Sequence, residues 1–84
     1  MVNGATIDLL YFARVAELTG KRAEAWPLVG PTTGAELLAA LTAHYPQLGA
    51  ARRLKLAINQ THAKPEAEIR PGDEVAVFEP VTGG

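Results

Sequence analysis

The chain contains neither cysteine nor serine. Without cysteine there is no disulfide framework and no thiolate to hold a metal. With serine missing as well, the two commonest side-chain nucleophiles are gone, which argues against an independent covalent catalyst. No stretch approaches the roughly 18 apolar residues of a membrane span. The N-terminus also lacks a basic region followed by an apolar one, so a cytoplasmic location away from membranes is expected. Clustered positive charge is scarce too. The formal net charge is −1, and the nearest thing to a basic cluster, Arg52-Arg53-Leu54-Lys55, reads as a solvated loop entering a strand. Nucleic acid, which demands a basic face, is not an expected partner. No glycine-rich phosphate loop of the required spacing occurs. His44 and His62 are far apart and have no cysteine beside them, so no metal site is expected. Asp73 and Glu74 are neighbours in a turn, where their side chains diverge; that pattern suits a solvated turn better than a general acid–base pair.

What is present is an ordinary globular balance, with 48% hydrophobic and 20% charged residues in 84. That length makes one domain, residues 1–84, burying a little over ~60% of its unfolded surface. Ala5 to Phe12 alternates, with Ile7, Leu9 and Tyr11 on one face and Leu10 and Phe12 ending the other, and reads as a strand. Ala13 to Thr19 has helical spacing and Gly20 stands where it would end. Lys21 to Leu28 is a second strand, and Pro27 suggests an edge. Gly30-Pro31 marks a turn. Thr33 followed by Glu36 is a capping box opening the clearest helix, with Leu37, Leu38, Leu41 and Tyr45 as its apolar stripe and Pro46 as its stop. Gln47 to Arg53 is a loop with room for one helical turn. Leu54, Leu56 and Ile58 alternate as a third strand. Asn59 to Glu68 is a turn (with His62 in it), a short irregular strand and a loop, with Ile69 as a buried anchor. Arg70-Pro71-Gly72-Asp73 is a turn signal, and Glu74 to Phe78 is the last strand, Val75 and Val77 on one face. The order implies an α+β roll of the β-grasp type, one mixed sheet packed on one main helix with the first and last strands central.

The last strand runs into Phe78-Glu79-Pro80-Val81-Thr82-Gly83-Gly84. Glycines lack a Cβ, so this backbone suits a passage too narrow for other residues. Four residues beyond Pro80 reach roughly 13–14 Å when extended, about the depth of an active-site channel. A frayed end is the simpler reading of the two glycines alone.

With these residues in place, the chain is similar over nearly its whole length to the small subunits of molybdopterin synthase, a family of ubiquitin-like sulfur carriers. Carrying the likeness are Leu10-Tyr11-Phe12-Ala13-Arg14, Glu17-Leu18-Thr19-Gly20, Ala57-Ile58-Asn59-Gln60-Thr61, Gly72-Asp73-Glu74-Val75-Ala76 and the tail from Phe78 to Gly84. One departure is Glu79-Pro80, where the family usually has two prolines. The resemblance implies that the Gly84 carboxylate is the working group. An activating enzyme would adenylate it with ATP, and sulfur from a persulfide donor would replace the AMP, leaving a thiocarboxylate; no cofactor is held permanently. The tail would enter the large catalytic subunit, in a heterotetramer whose acid–base residues belong to that subunit, and donate sulfur to a cyclic pyranopterin phosphate to build the dithiolene. Phe12, Phe78, Pro80, Val81, Thr82 and Gly83 are then the expected docking and tail residues. Two other uses of the same tail remain open: sulfur carriage for thiamine or cysteine, and ubiquitin-like joining of Gly84 to a protein lysine.

Overall fold

Two alternating strands form the centre of the molecule. The computed structural model describes residues 5–51 and 53–80. In β1 (Ala5–Tyr11) Ile7, Leu9 and Tyr11 are buried on one face, and in β7 (Glu74–Phe78) Val75 and Val77 are fully buried. The two strands are parallel neighbours, Leu9 level with Val75 and Tyr11 with Val77. Parallel neighbours require a long crossover, and the rest of the chain supplies it.

Helix α1 (Ala13–Thr19) ends at Gly20, whose φ of 77° is the left-handed conformation that favours glycine. Strand β2 (Ala23–Leu28) returns antiparallel to β1. Because the Tyr11 N–H donates to the Arg22 carbonyl at 2.8 Å, the alternation makes Glu24, Trp26 and Leu28 bond inward. Pro27 therefore falls where its missing N–H faces the open edge and costs no ladder bond. The sheet order β2-β1-β7-β4-β5 places β2 at that edge. Strands β4 (Lys55–Ile58) and β5 (Thr61–Ala63) complete the mixed sheet, β4 antiparallel to both β7 and β5.

The short strand expected between Asn59 and Glu68 is β5, within the main sheet; a second ladder, which the sequence does not announce, lies beside it. Thr32–Thr33 (β3) pairs antiparallel with Glu68–Ile69 (β6), apart from the main sheet. The polar sequence of β3 has no strand periodicity; tertiary contact over Ile69, 1% exposed, makes it extended.

Helix α2 (Gly34–His44) carries the expected capping box. The Glu36 N–H donates to Thr33 Oγ1 at 3.3 Å, and the Thr33 N–H donates to the Glu36 carboxylate at 3.0 Å. Leu37 and Leu41 are buried and Leu38 packs at the margin. Pro46 ends the helix and opens a 3-10 turn, Pro46–Ala50, which buries Leu48. Each such aliphatic side chain contributes about 1.5–3 kcal/mol of burial, so α2 and the sheet hold each other. Among the described residues no helix covers the outer sheet face.

Candidate docking face and tail root

Chain direction decides where the tail leaves. Since β1 and β7 are parallel, the segment after β1 and the segment after β7 emerge at the same end. The Phe12 N–H donates to the Val77 carbonyl at 3.3 Å, stitching the two exits together. Phe12 is extended, and Ala13 follows with φ 48°, a left-handed conformation costing a non-glycine residue about 1–2 kcal/mol. That sharp entry into α1 leaves Phe12 49% exposed while Val15, three residues on, is fully buried.

Register fixes the rest of the outer face. Leu10 is level with Ala76, Ala76 with Ala57 and Ala57 with His62, while Ala23 flanks Leu10 on β2. Leu10 and Ala76 are half-buried and Ala57 is at the limit of burial at 9%, so small side chains leave a shallow apolar strip. One row nearer the tail, Phe78 is level with Lys55, and its ring meets the His62 ring edge-on at 5.6 Å. His62 thus stands in β5 rather than in the turn expected for it. The preceding Asn59 and Gln60 have φ 51° and 71° and form a two-residue hairpin turn without glycine, so the turn closes sooner than expected and His62 falls in the strand. One row away from the tail, Asp8 and Glu74 are level and both polar. The face therefore runs from apolar at the tail root to acidic at its far end.

Of the expected tail residues, Phe78 and Pro80 are half-buried, and Glu79 is half-buried between them. Val81, Thr82, Gly83 and Gly84 lie outside the described residues. Of the apolar surface anticipated from the alternation, Phe12 is exposed and Leu10 half-buried; Val81 lies outside the described residues. His44 packs edge-on against Trp26 and Tyr45 at ring distances of 5.4 and 4.6 Å. Among the described residues no group of three His, Asp or Glu side chains is arranged to hold a metal, and no helix is long and apolar enough to cross a membrane. Asp73 is a structural acceptor: its carboxylate takes the Asn59 side-chain N–H at 3.0 Å and the Arg70 backbone N–H at 2.9 Å.

One cluster was not anticipated. Glu24 accepts from the Tyr11 hydroxyl at 2.5 Å, the Tyr45 hydroxyl at 2.7 Å and the Lys21 ammonium at 3.1 Å. Burial alone raises the Glu24 carboxyl, but the three donors override it and hold its pKa below the ordinary 4.5. Burial first, and then the Glu24 carboxylate, push the Tyr11 and Tyr45 hydroxyls above their ordinary 10.0. The signal was in the alternation, which puts Glu24 on the same face of β2 as Trp26 and Leu28. This cluster ties an edge strand to the end of α2.

The architecture is that of a ubiquitin-like β-grasp domain, with an open apolar sheet face beside the exit of its last strand. The chain belongs to the ThiS family, whose model matches residues 9–84. It is 38% identical over 80 residues to the molybdopterin synthase sulfur carrier subunit of Escherichia coli, covering 93% of this chain and 99% of that one. It is 31% identical over 88 residues to the human protein of the same name, covering all of both chains. Among solved structures it is similar to the H. volcanii small archaeal modifier protein 1, with a TM-score of 0.79 and 28% identity over 93% of this chain and 100% of that one.

Proposed function

We propose that this protein is the sulfur-carrying small subunit of a molybdopterin synthase, with the Gly84 carboxylate as its working group. The full-length match to relatives named as that carrier subunit supports the reading most directly. The chain itself does no acid–base chemistry; those residues belong to the large subunit that receives the tail. A carboxylate is a poor electrophile, so an activating enzyme first joins Gly84 to AMP from ATP, releasing pyrophosphate. The outer sulfur of a persulfide then attacks the carbonyl and AMP leaves. A second thiol cleaves the resulting S–S bond and frees the thiocarboxylate. In the large subunit that sulfur passes to a cyclic pyranopterin phosphate. A dithiolene takes two sulfurs, so two charged carriers serve each product. The outer face with Phe12, Leu10 and Phe78 docks, and Pro80 to Gly84 threads.

Intact mass of the chain from cells tests this: the carrier gains the difference between one sulfur and one oxygen atom. Removing Gly84, or adding a residue beyond it, abolishes sulfur transfer with an unchanged melting temperature. An extended, untrimmed variant that still forms dithiolene overturns the reading.

The likeness to a small archaeal modifier favours a second reading, in which Gly84 is joined to a lysine of a target protein. Its signature is an adduct carrying the mass of a whole target. Carriage of sulfur toward thiamine or cysteine gives the same thiocarboxylate and is separated by which acceptor takes up the sulfur.

A further inference from the structure

Net charge of −1 conceals a strong separation of charge along the sheet. Of the eight lysines and arginines in the sequence, seven lie in the described residues, and six of those are in segments at the end from which the last strand exits. The register places them. Arg14 follows the Phe12 exit on α1, and Lys21 and Arg22 precede β2, with the Arg22 carbonyl bonded to Tyr11. Lys55 is level with Phe78 on β4, and Arg53 lies two residues before it. Lys64 follows directly on Ala63, the residue level with Leu56 on β4. Arg14, Arg22, Arg53, Lys55 and Lys64 are all exposed. The acids at this end are Glu17, Glu79 and Glu24, the last already engaged by Lys21 and two tyrosines, and exposed Glu66 lies in the turn just past Lys64. At the opposite end stand Asp8, Glu36, Glu68, Asp73 and Glu74, and among the described residues the one cation there, Arg70, is paired with Glu68 at 3.2 Å. The cations come from α1 and from the tail-side ends of three strands, β2, β4 and β5, so topology gathers short local groups of charge at one end.

We propose that these cations form a basic collar around the tail root, which steers the chain tail-first onto an acidic rim at the entrance of the protein that receives the tail. The inference rests on the reading of the C-terminus as the delivered group. Its physical basis is a separation of charge aligned with the last strand. A field of this kind orients an approaching partner before contact and raises the association rate, an effect weakened by salt. The Debye length shrinks from about 30 Å at 0.01 M salt to about 8 Å at 0.15 M, so steering fades across that range. Cations spread over separate strands cover the rim of a channel mouth, whereas a single loop would touch one side of it. The apolar strip between them supplies short-range adhesion, and the collar sets direction.

The test measures association and dissociation rates of the full-length chain with the large subunit of the synthase, and with the adenylating enzyme, at low and at physiological salt. The expected result for the native chain is an association rate falling at least several-fold with salt. A variant carrying Arg53→Glu, Lys55→Glu and Lys64→Glu is expected to associate at least tenfold more slowly at low salt and to lose or invert the salt dependence. Its dissociation rate and melting temperature change little. Asp8→Lys, at the far end, serves as the control and leaves the association rate within about twofold. An association rate unchanged by the triple reversal overturns the collar and leaves the proposed function standing. No binding to either protein by the native chain overturns both. ATP is titrated alone as a separate probe; specific shifts of the Lys55 and Lys64 resonances, abolished in the triple variant, would reassign the cations to nucleotide contact and overturn the protein-rim proposal.

Discussion

Asn59 and Asp73 are fourteen residues apart and joined by a 3.0 Å hydrogen bond from the Asn59 carboxamide to the Asp73 carboxylate. The same carboxamide accepts the Glu74 backbone N–H at 2.9 Å, and the Asn59 N–H donates to the Glu74 carbonyl at 2.7 Å. Asn59 also has φ 51°, a left-handed value that asparagine tolerates better than most residues. Two of the stretches that carry the family likeness, Asn59-Gln60-Thr61 and Gly72-Asp73-Glu74, are thus one structural staple closing the end of the sheet remote from the tail. Asn59→Ala is expected to destabilise by about 2–3 kcal/mol, from two lost bonds and a strained backbone. Asn59→Gly, which relieves the backbone, is expected to cost about half of that. Urea unfolding checks both, with an unchanged m-value and an intact sulfur-transfer rate at a temperature where the variants are folded.

Gly34, the first residue of α2, has no room for a Cβ. An added methyl would lie 2.9 Å from Leu56 Cδ1 and 3.3 Å from the Lys64 and Pro65 carbonyl oxygens. Leu56 is 3% exposed and the loop is tied down by bonds from Gly34 to Ala67 and from Ala35 to Pro65. Gly34→Ala is therefore expected to destabilise by about 1–3 kcal/mol, lowering the melting temperature by roughly 4–8 °C for each kcal/mol. Gly49→Ala, with nothing within 4 Å of the new carbon, is expected to be near neutral. Thermal unfolding of the pair checks the contrast.

Stability should fall on both sides of neutral pH through the Glu24 cluster. The Glu24 carboxyl titrates below 4.5 when folded, so its contribution is full above 4.5 and is lost as pH falls through the depressed folded value. Tyr11 and Tyr45 titrate above 10.0 when folded. Their contribution is full below 10.0 and is lost as pH rises through the elevated folded values. Glu24→Gln is expected to lower stability on the neutral plateau by about 1–2 kcal/mol and to flatten the acid limb. Melting temperature as a function of pH checks this; an acid limb identical in the variant would remove Glu24 from the explanation.

Phe12 is exposed beside the root of the tail, so its loss should be felt in binding before it is felt in folding. Phe12→Asp is expected to weaken the complex with the large subunit at least tenfold while shifting stability by less than about 1 kcal/mol. Calorimetric titration and thermal unfolding of the same preparation compare the two. A fall in stability that accounts for the lost binding would return Phe12 to the core.

Local pattern and long-range pairing divided the problem between them. Ile7, Leu9 and Tyr11 announced their burial by alternation, Thr33 and Glu36 their capping box, and Gly20 the end of α1, because each depends only on residues a few positions away. The likeness over the whole chain identified the tail as the site to consider. Other features were invisible without tertiary structure. Glu24 meets Tyr45 only because β2 lies at the edge above the end of α2, and Asn59 meets Asp73 only because β4 pairs with β7. Phe12 and Phe78 share one end because the first and last strands are parallel. The charge separation arises in the same way: Arg14, Lys55 and Lys64 look scattered along the sequence, and strand direction collects them. Hydrophobic period and turn chemistry act over a few residues, so a sequence carries them openly. Which strand lies beside which is settled by the packing of the whole chain, and that packing placed the docking face and the collar around the last strand.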